Sequence, residues 1–159
     1  MPAKTTEKGE IGEAIVIAGL MRQEHDIAIP FGHNQPYDLI VIRKEDGSLE
    51  KVQVKYTTGD GKIVKVKVES TSAWVRHTYT PDEVDGIAVY DATVDRCFYI
   101  RSDVWGGQKG MNLRLVPTAN GQKKFIRFAD AYTRLTGPIL ASESHSVSDS
   151  ELPFDTQPE

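Results

Sequence analysis

Four residues early in the chain have the types and spacing to do chemistry: Asp38, Gln53 and Lys55 on what reads as one β-hairpin, and Glu13 on a helix before it. Tyr37 to Lys44 and Ser48 to Tyr56 flank Asp46-Gly47, a pair favoured in tight hairpin turns. A two-residue turn there makes Glu45 face Ser48, which sets Asp38 opposite Lys55 and Ile40 opposite Gln53. Cross-strand partners share a face, and so do residues two apart on one strand. Asp38, Gln53 and Lys55 therefore gather on one face near the open end of the hairpin, while Leu39, Val41, Val52 and Val54 fill the other. A slip of one residue would scatter the trio. The oxygens in reach suit a hard cation: the Asp38 carboxylate, the Gln53 amide oxygen and the backbone carbonyl of Val54. A cation held there polarises a phosphodiester and makes water more acidic. A lysine beside it positions that water or offsets charge developing on the phosphate. Spacing alone leaves another reading open, since an Asp on one strand and a Lys on the next also form an ordinary solvated pair.

The elements that must carry these groups are visible in outline. Thr6 to Glu24 is rich in helix formers and free of proline, with apolar residues at 11, 14, 15, 18 and 21 as one stripe and 16, 17 and 20 widening it. That pattern predicts a helix largely enclosed by the fold. Glu13 shares a face with Ile17 and Leu20, where a carboxylate is costly unless a metal or the Lys55 ammonium compensates it. The alternative is an exposed acid in the first turns, favoured by the helix dipole. Further along come a short strand over residues 26–30 and a loop over 31–36. A strand over 62–69 alternates Val64, Val66 and Val68 with Lys65 and Lys67. Residues 70–79, polar with Trp74 and Tyr79 embedded, read as loop or short helix. Gly86–Tyr90 and Arg96–Arg101 make a second hairpin, 113–116 a last strand, and 123–135 an amphipathic C-terminal helix with Phe125, Phe128, Ala129 and Tyr132 on one side. This order predicts an α+β or mixed α/β fold.

At 159 residues with 39% hydrophobic content, the chain supports one domain with a real core. No apolar run reaches the length of a membrane span, and the N-terminus lacks a secretory core. Cys97 is the one cysteine and reads as core filler, and the four histidines are scattered, so no zinc site is spelled out. A cytoplasmic protein is the expectation. The net charge of −4 speaks against nucleic acid only until the charge is located. Five acids and no Lys or Arg lie beyond residue 140, which leaves 18 acids against 19 bases over residues 1–140. The expected division is a domain over 1–140 and an acidic, disordered tail over 141–159.

The run Gly9-Glu10-Ile11-Gly12-Glu13-Ala14, then Pro36-Tyr37-Asp38-Leu39-Ile40-Val41, then Val52-Gln53-Val54-Lys55, resembles the PD-(D/E)XK nuclease superfamily. More narrowly it resembles the group I intron-associated homing endonucleases, which carry Gln-x-Lys in place of the usual acid-x-Lys. The stretches 113–117 and 120–132 resemble the end of that family, so the likeness spans about Gly9 to Tyr132. The resemblance implies a restriction-endonuclease-like core with a mixed central sheet flanked by helices. It also implies cleavage of double-stranded DNA, Mg2+ dependence with Mn2+ able to substitute, and a homo-oligomer, dimer or tetramer. By position, Glu13 matches the helix acid, Asp38 the metal-binding aspartate, Gln53 the second ligand and Lys55 the catalytic lysine. For DNA contact the sequence offers Lys65 and Lys67 on a wet strand face, Arg76 and His77 beside Trp74, and Gln122, Lys123, Lys124 and Arg127 at the start of the last helix, whose amides could also take phosphate. Two other readings remain: a Holliday-junction-resolvase-like nuclease that reads DNA shape, and a non-catalytic nuclease fold used as a DNA- or protein-binding module.

Overall fold

The helix α1 (Thr5–Arg22) starts where the Glu7 carboxylate accepts the Lys4 backbone N–H at 2.9 Å, half of a capping box. It stops in a Schellman turn: Glu24 N–H returns to the Met21 carbonyl and His25 N–H to that of Leu20, with Glu24 in the left-handed region at φ 67°. The computed structural model describes residues 4–32, 34–72 and 75–135. The expected tail over 141–159, His33 and Trp74 lie outside them. Strands follow as β1 (Asp26–Ala28), β2 (Leu39–Ile42), β3 (Leu49–Thr57), β4 (Ile63–Lys67), β5 (Glu69–Ser72), β6 (Val75–Thr78), β7 (Gly86–Asp91) and β8 (Arg96–Arg101). A four-residue helix α2 (Ser102–Trp105), strand β9 (Gly110–Arg114) and a 3-10 turn (Ala129–Tyr132) complete the described chain.

A five-stranded sheet in the order β1-β2-β3-β7-β8 forms the centre, antiparallel except for the parallel pair β3 and β7. All six residues of β7 are buried, as befits a central strand covered on both faces. On one face α1 lays Val16 and Leu20 against Leu39, Val41, Val52, Val54, Ala88 and Tyr99. On the other, the ribbon β4–β9 sets Val64, Val66, Met111 and Leu113 against Ile87, Val89, Phe98 and Ile100, with Trp105 and Tyr132 closing the layer. The structure is thus the mixed α+β fold, with a mixed central sheet and helices, that the sequence pattern predicts.

Four local expectations are corrected. The first hairpin closes through a loop, with Arg43 N–H to the Ser48 carbonyl at 2.9 Å and Asp46 capping Ser48 N–H, so Leu39 faces Val52 and Ile40 faces Lys51. The register therefore moves by two residues from the two-residue-turn prediction, and side chains keep their faces because the strand period is two. The apolar stripe predicted to bury α1 is largely its outer side: Ile11 and Met21 are 44% and 61% exposed, while Gly12, Val16 and Leu20 face the sheet. Glu69–Ser72 and Val75–Thr78 pair as the antiparallel strands β5 and β6 rather than forming loop or helix, and their sequence lacks any apolar alternation. No helix forms over 123–135. Phe125 sits at φ 63°, and Arg114 N–H binds the Arg127 carbonyl, so that segment runs beside β9 before its single 3-10 turn.

Candidate active site

Gln53 and Lys55 lie on the same face of β3, beside Ile87 and Val89 of β7, and Asp38 precedes β2 on that face. The opposite residues Val52 and Val54 are buried beneath α1, which pins the face each polar side chain takes. Asp38 Oδ2 accepts the Val54 backbone N–H at 2.8 Å and the Gln53 amide Nε2 at 2.5 Å. The same nitrogen donates to the Val54 carbonyl at 3.1 Å. The Gln53 amide nitrogen therefore joins the other two oxygen-bearing groups that the sequence singles out, the Asp38 carboxylate and the Val54 carbonyl. Burial pushes the Asp38 carboxyl above the ordinary aspartate range, an effect opposed by the Val54 N–H, the Lys55 charge and the Gln53 amide.

Lys55 forms no ion pair with Asp38 among the described residues. Its Nζ donates to the Glu69 carbonyl and the Tyr79 hydroxyl, each at 3.2 Å, and lies 4.8 Å from the Tyr79 ring centre. The ordinary cross-strand pair is therefore not what holds it. The buried Tyr79 was not singled out as a site residue by sequence, and the signal it carries is faint: one aromatic at the end of a polar stretch. Edge-on against that ring, 5.6 Å between centres, sits His77, whose Nε2 is paired with Glu83.

Glu13 is half-buried on α1 and lines, with Asp38, Tyr37, Gln35 and Pro30, a cavity of about 170 Å³. Gly12 next to it is buried against β3, where a Cβ would meet the Tyr56 Cβ at an ordinary contact distance of 3.4 Å. The helix acid and the hairpin acid thus open into one space. Among the described residues no three His, Cys, Asp or Glu side chains cluster at metal-ligating range. Any cation here would rely on one strand carboxylate, an amide, a carbonyl and Glu13. That all-oxygen set is chemically apt for a hard ion.

The residues predicted for DNA contact divide. Lys65 and Lys67 are exposed and share a cleft of about 500 Å³ with Lys55, Lys8, Thr57 and Thr58. Gln122 and Arg127 line a second cleft of about 650 Å³ with Asn112, Arg114 and Phe125. Lys123 and Lys124 are exposed, the latter over the Phe125 ring at 5.2 Å. Arg76 is exposed on β6, whereas the carboxylate of Glu83 already engages His77. The phosphate cradle expected at the start of a last helix has no basis, because that helix is absent.

The fold resembles that of a bacterial homing endonuclease, I-Ssp6803I, with a TM-score of 0.58 and 25% identity over 77% of this chain and 84% of that one. No curated protein matches the chain. The family described as PD-(D/E)XK endonuclease matches residues 3–135, a span that takes in Glu13, Asp38, Gln53 and Lys55, and the chain belongs to that endonuclease family.

Proposed function

We propose that this nuclease hydrolyses phosphodiester bonds in double-stranded DNA in the manner of a homing endonuclease, with Mg2+ as its metal and Mn2+ able to substitute. Asp38, Gln53 and the Val54 carbonyl would hold the ion, with Glu13 contributing from α1. The observation that carries this is the convergence of Asp38 Oδ2 and the Val54 carbonyl on a single amide nitrogen of Gln53. Turning that amide about its last torsion presents its oxygen to the place where both already point. The bound ion supplies Lewis acidity toward the phosphate and toward water.

The chain's own residues do the rest. Burial disfavours the Asp38 carboxylate, while the Val54 N–H, the Lys55 charge and the Gln53 amide favour it, and a nearby cation would favour it further. The Lys55 ammonium, steadied by the Glu69 carbonyl and the Tyr79 hydroxyl, stands beside the Lys65–Lys67 cleft, where a backbone phosphate would meet it. It neutralises charge that grows on the phosphate oxygens and orients the attacking water. Among the described residues no helix is long and apolar enough to cross a membrane. Paired active sites would cut both strands of a duplex in one binding event, which fits a homo-oligomer, dimer or tetramer, acting in the cytoplasm.

The test is a mixed pool of duplex DNA incubated with and without Mg2+, followed by mapping of the ends, alongside Asp38→Ala and Lys55→Ala. Cleavage at one site in long duplexes, lost in both variants and without metal, supports the proposal. Wild-type rates in either variant overturn the site assignment. Cutting confined to four-way junctions favours a junction-resolving enzyme, and DNA binding indifferent to Mg2+ without cleavage favours a binding module.

A further inference from the structure

The ribbon β4–β9 has one face in the core and one in water. Along the outer face its cross-strand pairs are Lys67 with Gly110, Lys65 with Asn112, and Ile63 with Arg114. Its Lys67 end borders the cleft that holds Lys55, and its Arg114 end borders the larger cleft with Arg127 and Phe125. The two clefts therefore lie at the two ends of one ribbon face, and the Lys67 end is the one beside Lys55. Six basic side chains line the two clefts (Lys8, Lys55, Lys65 and Lys67 in one, Arg114 and Arg127 in the other) and no Asp or Glu does, although the whole chain holds 23 acids against 19 bases. Such segregation of charge is the electrostatic footprint of a polyanion site.

The Arg114 end of the ribbon is also built to present side chains. Arg114 N–H binds the Arg127 carbonyl at 2.8 Å, which fastens the incoming segment to the ribbon, and the Val116 carbonyl holds Arg114 Nε at 3.3 Å. Phe125 is 88% exposed with a backbone in the left-handed region, strain that a bulky residue bears only where the surroundings impose it.

We propose that the β4–β9 ribbon is the sequence-reading element of this nuclease, lying in the major groove of duplex DNA with Asn112 and Arg114 as specificity-determining residues. The inference rests on the double-stranded DNA reading above and adds which residues read the bases. A major groove about 12 Å wide admits a two-stranded ribbon. Side chains on one face of a strand recur every ~6.8 Å, which is two base-pair steps of about 3.4 Å each. Asn112 and Arg114 are two residues apart, so they meet base pairs two steps apart. An asparagine side chain matches the N6 and N7 edge of adenine, and arginine the O6 and N7 edge of guanine. Lys65 and Lys67 lie on the Lys55 side, where they take backbone phosphates and set register without reading sequence.

The experiment selects a random 30-base-pair duplex pool on the full chain, with Ca2+ in place of Mg2+ to suppress cutting. It compares wild type with Asn112→Ala, Arg114→Ala and Lys65→Ala/Lys67→Ala. Wild type should enrich a motif. Each single variant should lose preference at one position, by roughly 5- to 150-fold, with the two lost positions about two base pairs apart. The double lysine variant should keep the motif and bind more weakly throughout, its log–log salt slope shallower by roughly two units. Unchanged melting temperatures exclude misfolding. If wild type and both single variants enrich the same motif, the ribbon is not the reader and the nuclease proposal stands. If wild type retains duplexes without enriching any motif, the inference fails while a shape-reading nuclease survives. If wild type retains no DNA, both readings fall.

Discussion

Replacing Asp38 with asparagine separates the shape of the hairpin acid from its charge. In the wild type, Oδ2 accepts the Val54 N–H at 2.8 Å and the Gln53 amide at 2.5 Å. An asparagine oxygen can take both, so the start of β2 keeps its anchors. What disappears is a charge that burial disfavours. Because the folded pKa lies above the unfolded value, the stability tied to this group is complete below the ordinary aspartate pKa of about 3.9. It is lost as pH rises through the raised folded value. At pH 7 the metal-free wild type bears that penalty and Asp38→Asn does not. For a half-buried, hydrogen-bonded site we expect the variant to be more stable by about 0.5–1 kcal/mol, or ~2–3 °C in melting temperature. Metal reverses the order. Mg2+ at a hundred times its Kd stabilises the wild type by about 2.7 kcal/mol, or ~9 °C for a domain of this size. The variant, without its anionic strand ligand, gains little. Cleavage should fall by about 10³-fold or more, since several kcal/mol of charge stabilisation go with the ligand. Thermal melts of both proteins in EDTA and across a Mg2+ titration read the crossing directly. A variant less stable than wild type in EDTA, or one with an undiminished Mg2+ shift, refutes the reasoning. In acid, below the aspartate range, the EDTA difference should vanish.

Three further outcomes follow from neighbouring contacts. Lys55→Met should lower cleavage by about 10²–10³-fold. It should also move the Asp38 carboxyl titration, followed by NMR, further upward, because the Lys55 charge is one of the influences that hold it down; an unchanged titration contradicts the placement of Lys55. Arg43→Met strands the Glu50 carboxylate, whose pairing at 2.6 Å joins side chains only 11% and 10% exposed, and should destabilise by about 2–3 kcal/mol with Arg101 nearby as partial relief; chemical denaturation measures it. Tyr99→Phe should stabilise by up to about 1 kcal/mol in the same assay, since the buried Tyr99 hydroxyl has beside it only the Cys97 thiol, a weak hydrogen-bond partner.

The trio's common face was legible because strand parity survives an error of two in register. Leu39, Val41, Val52 and Val54 had to go inward whatever the loop length, so Asp38, Gln53 and Lys55 had to go outward. The loop itself was not legible: Asp46-Gly47 fits a two-residue turn, yet Arg43 and Ser48 close the hairpin outside it. For α1, apolar residues surround the axis and periodicity cannot choose a side. The side taken is the one that carries Gly12, Val16 and Leu20. Residues 123–135 have helical spacing of apolar side chains, and that spacing is overridden by the pairing of Arg114 with Arg127 and Phe128 along β9. Tyr79 escaped notice because a hydroxyl that steadies a lysine has no sequence pattern of its own.

The amide at position 53 links these observations to the proposed metal. A second strand carboxylate facing Asp38 would repel it until an ion arrived, whereas the Gln53 amide donates to Asp38 and to the Val54 carbonyl and so orders the ligands beforehand. The loss is one unit of ligand charge, which must be recovered elsewhere if the ion is to bind well. Glu13 opens into the same cavity as Asp38 and is the side chain placed to supply it. Glu13→Gln should therefore raise the Mg2+ concentration for half-maximal cleavage by about 10- to 100-fold. Adding Gln53→Glu to that variant returns the missing charge on the strand, and the double variant should recover most of the metal affinity. Gln53→Glu alone should lower stability in EDTA, where two carboxylates face each other, and keep cleavage in Mg2+. Isothermal titration with Mg2+ on the four proteins measures the coupling between the two positions. An unchanged Mg2+ affinity in Glu13→Gln would place Glu13 outside the ion's reach and leave Asp38 as the sole charged ligand.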